Sequence, residues 1–301
     1  MNVMQLSLTA IIGLQFAFCV AGVVQKNLKV TVIQPVEMRT STGKSLTLPP
    51  GTPVTIQSDV EEGKIKIDAG RIGWADQSVL QTLISADAAD THFSKLIELH
   101  PKDAAAWAAR GTVRFHAGKH DEAIRDFDQS LNLAPDSLAL TLRGFAWKRK
   151  GDKDKAMQDF HAAIKLNPKE ALAWRVRGAT WAGKANYAQA LADYSESIRL
   201  DPENPDSLHH RVVMLSACND DKIRNGKQAV ADATQACELS GWNNSLYLSG
   251  LGMAYAELGE FESAIKWYSK AMELSSPDGQ KLMQSRLELF RMHKPFRTTW
   301  K

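Results

Sequence analysis

Residues 141–168 read TLRGFAWKRKGDKDKAMQDFHAAIKLNP, and this stretch decides the fold. Gly144 is followed after twelve residues by Ala156, after four more by Phe160 and after eight more by Pro168. The small residues allow two antiparallel helices to approach closely, and Phe160 fills the space beside them. Pro168 ends the second helix, because its ring cannot continue the backbone hydrogen bonding. The stretch therefore predicts a helical hairpin.

This hairpin pattern recurs along the chain with a period close to 34 residues. Four prolines stand 34, 33 and 34 residues apart, namely Pro101, Pro135, Pro168 and Pro202. In four units a glycine lies twelve residues before an alanine: Gly111, Gly144, Gly178 and Gly252 precede Ala123, Ala156, Ala190 and Ala264. This pattern resembles the tetratricopeptide repeat. The resemblance implies a mainly α protein, a solenoid of helix-turn-helix repeats with a concave groove for partner proteins.

The repeat pattern divides the helical part of the chain. Residues 101–277 predict five repeats, and the fourth carries an inserted polar loop at residues 219–226. In that repeat Val212 stands in place of the glycine and Ala233 in place of the aromatic residue. Residues 82–100 match a second helix without its first, which predicts an N-terminal half-repeat. A capping helix is expected at residues 278–293, followed by a basic, aromatic tail at 294–301.

Residues 27–81 have the short apolar alternations of β-strands, punctuated by proline and glycine. Gly51-Thr-Pro-Val-Thr-Ile56 and Gly70-Arg-Ile-Gly-Trp74 resemble two strands of the bacterial SH3-like (SH3b) domain. The resemblance implies a small SH3-like β-barrel, of a kind that often binds cell-wall peptides or partner proteins. Trp74 is its candidate ligand platform, and the alternative is that this ring plugs one end of the barrel core.

The first segment is apolar and carries no charge before Lys26. Residues 1–22 predict a signal peptide ending in Val20-Ala21-Gly22, or else an uncleaved membrane anchor. Either interpretation places the rest of the chain in the periplasm or cell envelope. The inserted loop, residues 236–242 and the C-terminal stretch together resemble exported tetratricopeptide proteins of the planctomycete type. In that compartment we expect Cys218 and Cys237 to be buried thiols, and a disulfide between them stays open.

The composition argues against several classes of function. The 37 basic and 34 acidic residues give a net charge of +3, too balanced to indicate a nucleic-acid binder. The eight histidines lack the spacing of a metal-binding helix, and no phosphate loop, nucleophile elbow or Cys-x-x-Cys motif occurs. We therefore expect no enzyme activity, no metal and no cofactor. An enzyme in the unmatched loop or tail is the open alternative.

A second constellation accompanies the repeat pattern. An arginine stands just before the glycine, and an aspartate stands three residues after the alanine. The pairs are Arg110 and Asp126, Arg143 and Asp159, Arg177 and Asp193, and Arg211 and Asp232. The fifth repeat loses both members, having Leu251 and Trp267 instead. Joint presence and joint loss predict an Arg–Asp ladder between helices. The alternative is an arginine column that recognises an acidic ligand.

The predicted groove is the candidate partner-binding site. The side chains expected to face it are Phe115, His116, Thr141, Phe145, Lys148, Arg149, Arg175 and His209. Their aromatic and basic character suits an extended peptide that carries carboxylate groups. Ordinary solvated helix faces would give a similar pattern.

These expectations define a non-catalytic adaptor of the cell envelope, which presents its groove to protein or peptide partners. A membrane contact is expected only if residues 1–22 stay attached. The alternative is a wall-binding protein, in which the SH3-like domain holds peptidoglycan peptides and the repeats act as a scaffold.

Overall fold

A computed structural model of the chain describes residues 29–40, 45–56, 64–68, 72–76 and 83–298. The chain forms two compact units, Met1–Pro135 and Asp136–Lys301. The predicted leader at 1–22 and residues 299–301 of the predicted tail lie outside the described residues. Across the described ranges, no helix has both the length and the apolar character needed to cross a bilayer.

The first unit begins with a seven-stranded antiparallel sheet. Its strands are β1 (Lys29–Val32), β2 (Val36–Thr40), β3 (Ser45–Leu48), β4 (Pro53–Ile56), β5 (Lys64–Asp68), β6 (Ile72–Asp76) and β7 (Leu83–Ile84). The order across the sheet is β3-β2-β6-β5-β4-β1-β7. Its described core includes the buried side chains of Val30, Val32, Val36, Met38, Leu48 and Val54. The described strands leave β3 and β7 at the two edges, so closure into an SH3-like barrel stays a prediction.

The sheet packs directly on the helices that follow it. At the turn before β4, Gly51 has φ +87° and donates its N–H to the Val32 carbonyl at 2.7 Å. A Cβ atom there would lie 2.6 Å from the carbonyl oxygen of Ala109 and 2.9 Å from Cβ of Thr112. Only glycine fits both this backbone conformation and this contact. The sheet also continues past the predicted end at residue 81, because β7 pairs with β1.

Within residues 85–135 of the first unit, three helices follow the sheet: α1 (Ala86–Leu99), α2 (Ala104–His116) and α3 (His120–Leu133). The Ser85 hydroxyl caps α1 by accepting from the Ala88 N–H, and Asp103 caps α2 in the same way. Helix α1 has the place of the predicted half-repeat, and its Phe93 is buried against Ala109 and Val113 of α2. Helices α2 and α3 form the first complete hairpin.

The second unit contains nine helices within residues 136–298. They are α4 (Ser137–Arg149), α5 (Lys153–Leu166), α6 (Ala171–Ala182), α7 (Tyr187–Leu200), α8 (Pro205–Ala217), α9 (Gly226–Leu239), α10 (Ser245–Leu258), α11 (Phe261–Glu273) and α12 (Pro277–Arg291). The first eight pair as hairpins, and α12 packs on α11 as the predicted capping helix would. In the first of these hairpins, a Cβ atom at Gly144 would lie 2.5 Å from a ring carbon of Phe160. The glycine is therefore what lets the two helices meet over the ring.

In the fourth repeat, the larger residue of the packed pair lies on the first helix of the hairpin and the smaller residue on the second. Val212 and Ala233 are both fully buried in one apolar cluster. The larger valine on α8 accompanies the smaller alanine on α9, whereas other repeats combine a glycine with an aromatic ring. The larger residue thus moves from the second helix of the hairpin to the first, and the hairpin keeps a close-packed interior.

Both cysteines of the second unit are free and buried. Cys218 caps the end of α8, and Cys237 lies in the last turn of α9. Burial raises the pKa of the Cys237 thiol to about 12. The thiol is therefore protonated at neutral pH and is a poor nucleophile.

Candidate functional site

The four arginines of the predicted ladder each form a two-pronged ion pair with an aspartate of their own repeat. Nε and Nη2 of Arg143 donate to Asp159 at 2.9 and 2.6 Å, and those of Arg177 donate to Asp193 at 2.8 and 2.8 Å. The corresponding distances are 3.0 and 2.7 Å for Arg110 with Asp126, and 2.7 and 2.8 Å for Arg211 with Asp232. All four carboxylates are buried between the two helices of a hairpin.

Some of these guanidinium groups also reach a neighbouring helix. Arg110 donates to the Ser94 hydroxyl on α1 at 3.1 Å, and Arg211 donates to the Ser195 hydroxyl on α7 at 3.2 Å. Arg110 also lies over the ring of Trp107, 4.8 Å from its centroid. These donors and faces are already occupied within the protein. The ladder therefore joins helices and is not aimed at a ligand.

Two residues expected to face a partner are instead buried. The Thr141 side chain is 0% exposed, and its hydroxyl donates to the Ser137 carbonyl at 2.8 Å within α4. His209 is 8% exposed, and its ring lies against Tyr247, with centroids 5.9 Å apart. Neither side chain can reach a partner protein, so both leave the candidate set.

The remaining aromatic residues of that set contribute mainly to packing. Phe145 meets Phe160 edge to face, with ring centroids 6.1 Å apart. Phe115 lies against His116 at 5.1 Å in the first unit. His116 and Arg149 are exposed at the ends of α2 and α4.

Lys148 and Arg175 form the centre of a positively charged site, although they lie on α4 and α6. Both side chains are half-buried. Burial lowers the pKa of the Lys148 ammonium, and the positive charges of Arg149, Lys153 and Arg175 lower it further. Throughout the described part of the chain, no carboxylate lies within ion-pair distance of Lys148. The buried Nε of Arg175 likewise has no hydrogen-bond partner there.

His210 joins these two cations from α8. Burial lowers its pKa to about 3, and the charges of Arg175, His209 and Lys148 act in the same direction. The imidazole is therefore neutral at pH 7 and carries one N–H donor. Its ring stacks on Tyr194, with centroids 5.4 Å apart and planes 11° from parallel. We call the two cations, Lys148 and Arg175, together with the neutral His210 beside them, the cationic cluster.

The sequence did not identify His210, although it stands beside the predicted His209. On a helix, adjacent residues point in directions about 100° apart, so only one of the two can face a given surface. Which of the two histidines faces the surface depends on how α8 is rotated against α10. No local pattern shows that rotation.

One carboxylate lies at the outer limit of ion-pair distance from the cationic cluster. Asp206, in the first turn of α8, has Oδ2 at 4.0 Å from Nη2 of Arg175. Its Oδ1 accepts a hydrogen bond from the Tyr247 hydroxyl at 2.9 Å. The cluster therefore keeps donors that a carboxylate ligand could use.

A second concavity, of about 350 Å³, lies between α2 and α3. Its lining includes Arg110 and Arg114, but both already bind Asp126. Two of the three arginines that line this cavity are therefore already paired, which makes it a weaker site for an acidic ligand. Within the described ranges, no group of three His, Cys, Asp or Glu side chains could hold a metal ion.

Comparisons with known proteins agree with the helical hairpins. One tetratricopeptide repeat model matches residues 104–137 and 245–278, and a second matches residues 148–205. Tetratricopeptide repeat protein 6 from Homo sapiens is 34% identical over 83 residues, which are 28% of this chain and 16% of the human protein.

Solved structures show a similar fold. The APC/C hetero-tetramer Cut9–Hcn1 aligns with a TM-score of 0.57 at 21% identity, covering 67% of this chain and 39% of the other. A tetratricopeptide repeat protein from Parabacteroides merdae ATCC 43184 aligns with a TM-score of 0.52 at 17% identity, covering 69% and 81%. At these identities the likeness concerns the fold alone. The matched models thus identify tetratricopeptide repeats at residues 104–137, 148–205 and 245–278, where the structure forms packed helical hairpins.

Proposed function

We propose that this protein is a non-catalytic adaptor that binds an extended acidic segment of a partner protein. The binding surface is formed by α4, α6 and α8, the first helices of the second, third and fourth repeats. The observation that carries the proposal is the cationic cluster, where Lys148 and Arg175 are half-buried and repel each other. Burying like charges costs free energy that a ligand carboxylate would recover.

The chemistry of the cluster favours a carboxylate over a neutral ligand. Arg175 offers a planar guanidinium whose Nε is not bonded within the described residues, and Lys148 offers an ammonium without a carboxylate beside it there. A carboxylate can accept from both groups, and charge-assisted hydrogen bonds are about twice as strong as neutral ones. His210 adds a neutral donor that persists at every physiological pH.

The arrangement also favours an extended segment. Lys148, Arg175 and His210 lie on three successive first helices, so a ligand must cross those helices to touch all three. A chain in extended conformation covers about 3.3 Å per residue, so a short segment is long enough. An acidic stretch of several residues would match the spacing better than a single free anion.

We predict that replacing Lys148 and Arg175 by glutamine weakens binding of a fluorescent glutamate-rich octapeptide by about tenfold or more, roughly 1.4 kcal/mol. Fluorescence anisotropy of the full chain at two salt concentrations measures the affinity. Circular dichroism checks that the Lys148→Gln/Arg175→Gln variant stays folded. A glutamine-rich peptide of equal length should bind neither protein.

The matched control is Lys165→Gln/Lys281→Gln, which removes the same charge from exposed positions on α5 and α12. It should retain the affinity of the unaltered chain. Equal loss of binding in both double variants would show a diffuse charge effect and would overturn the proposed site. Absence of binding to the unaltered chain would do the same.

We also propose export to the cell envelope, on the apolar character of residues 1–22. Mass spectrometry of the N-terminus from the native host tests it, and an intact Met1 would contradict cleavage.

Peptidoglycan binding through residues 27–81 is the alternative function, supported by the Gly-Trp strand. It requires the full chain to bind purified wall sacculi and a Trp74→Ala variant to lose that binding.

A further inference from the structure

The C-terminal segment, residues Lys294–Thr298, folds back onto the protein. After α12 ends at Arg291, the chain turns at His293, which has φ +55°. The N–H of Thr298 then donates to the carbonyl of Ala217 at 2.9 Å, and Thr298 forms a parallel β-bridge with Cys218. The segment thus pairs with the chain where α8 ends.

Arg297 and Glu257 hold this segment beside the bridge. Nη2 of Arg297 lies 2.7 Å from Oε2 of Glu257, a carboxylate whose side chain is largely buried at the end of α10. Nη1 of Arg297 donates to the Ser216 carbonyl at 3.3 Å. Glu257 also accepts from Nε of Arg224, in the inserted loop, at 3.0 Å. One buried carboxylate therefore holds both the inserted loop and the C-terminal segment.

The ring of Phe296 supplies the apolar contact. It packs against a cluster that contains Met253, Tyr268 and Phe290, and Val213 packs against the same cluster. The guanidinium of Arg286 also lies over this ring, 4.2 Å from the ring centroid. Phe296 is half-buried as a result.

The segment contacts the C-terminal ends of two first helices, α8 and α10. Val213 and Met253 each follow the residue at the glycine position, as Phe145 and Ala179 do in the two preceding repeats. They therefore lie on the equivalent face of α8 and α10. The segment reaches the apolar cluster of these two residues through Phe296, and it reaches the ends of the two helices through main-chain and side-chain polar contacts.

We propose that the face formed by α8 and α10 is a docking site for an extended aromatic–basic segment, and that residues 294–298 are its tethered occupant. The site would take an aromatic ring beside Met253, an arginine on Glu257, and a main-chain N–H on the Ala217 carbonyl. Tethering gives the segment a high effective concentration, so a partner segment of the same chemistry must displace it. The proposal is independent of the cationic cluster.

Disulfide trapping in the full chain tests the docked position. In a Cys19→Ser/Cys237→Ala background, Thr298→Cys places a thiol opposite Cys218, at the roughly 5 Å Cα separation of bridged strands. Oxidation with copper phenanthroline should then join the introduced thiol to the sulfur of Cys218, seen as loss of both thiols and of two hydrogen atoms in mass. Lys281→Cys in the same background is the control and should stay unlinked. Failure of Thr298→Cys to cross-link faster than the control would overturn the docked position.

Exchange of the segment tests the docking site. A chain ending at His293 should bind a fluorescent peptide of residues 294–301, KPFRTTWK, and the full chain should bind it at least about tenfold more weakly. Glu257→Gln in the shortened chain should weaken binding, whereas Glu238→Gln, exposed on α9, should not. Thermal melting checks that each variant is folded. Equal binding by the full and shortened chains, or none by a folded shortened chain, would overturn the site.

Discussion

At the scale of the residue, the interiors of the first four hairpins each contain a buried ion pair. The four ladder aspartates are 2–6% exposed, and each accepts two hydrogen bonds from its arginine. Burying a carboxylate is costly unless it is paired and hydrogen-bonded. The arginine is therefore required wherever the aspartate is present. This explains why the fifth repeat lacks both.

We predict that Arg143→Ala and Asp159→Ala are strongly coupled. Either single change leaves one charge of the pair without its partner and should cost on the order of 3 kcal/mol. The double variant should be more stable than the sum of the two by about 1 kcal/mol or more. Urea unfolding of the four proteins measures the coupling, and additive losses would contradict a direct pair.

A second prediction at this scale concerns acid stability. Burial lowers the pKa of His209 from 6.5 to about 4, with the Asp206 charge acting weakly in the opposite direction. Between pH 6.5 and 4, His209 is therefore protonated in the unfolded chain and neutral in the folded chain. Stability that is present above pH 6.5 is lost as the pH falls towards 4, by up to about 3 kcal/mol for this group.

The measurement is the urea midpoint at several pH values between 7.5 and 4. His209→Gln should flatten the decline relative to the unaltered chain, whereas His161→Gln, exposed on α5, should leave it unchanged. An identical decline in all three proteins would mean that His209 does not contribute to acid sensitivity.

At the scale of the element, helix pairing follows from a few positions. Helix α5 ends at Leu166, two residues before Pro168, and Asp136, Asp152 and Asn204 cap the helices that they precede. Such signals are local, so the sequence predicts the hairpins well. It predicts the sheet less completely, because strand order depends on pairs far apart in the chain.

We predict that Gly144→Ala destabilises the protein by about 1–3 kcal/mol, although alanine is the better helix former. Its Cβ would lie 2.5 Å from the Phe160 ring and would force the two helices apart. The matched control is Gly183→Ala at the end of α6, where the nearest atom lies 3.5 Å away. Thermal unfolding should show a loss for the first and no loss for the second. Equal behaviour would remove the close-contact explanation.

At the scale of the whole molecule, the chain divides into two compact units. The first unit joins the sheet, the half-repeat and the first full hairpin, and it ends at Pro135. Within this unit, Gly51 brings the sheet into close contact with α2 at Ala109. The proposed peptide-binding site lies in the second unit, because Lys148, Arg175 and His210 lie on α4, α6 and α8 of that unit.

The position of the C-terminal segment was also not predictable from the sequence. Its basic and aromatic composition was evident from the sequence, but the composition did not indicate where the segment would lie. Arg297 bonds with the Ser216 carbonyl across 81 residues. Only the completed packing of α8, α10 and α12 brings those groups together.

The sequence by itself determined the repeat, its hairpins and the partners within the Arg–Asp ladder, because each depends on spacing within one hairpin. The tertiary structure alone decided that Thr141 and His209 are buried, that His210 lies beside Lys148 and Arg175, and that residues 294–298 contact the ends of α8 and α10. These features depend on helix rotation and on contacts between repeats. Such contacts arise from the packing of the chain as a whole, which local spacing does not specify.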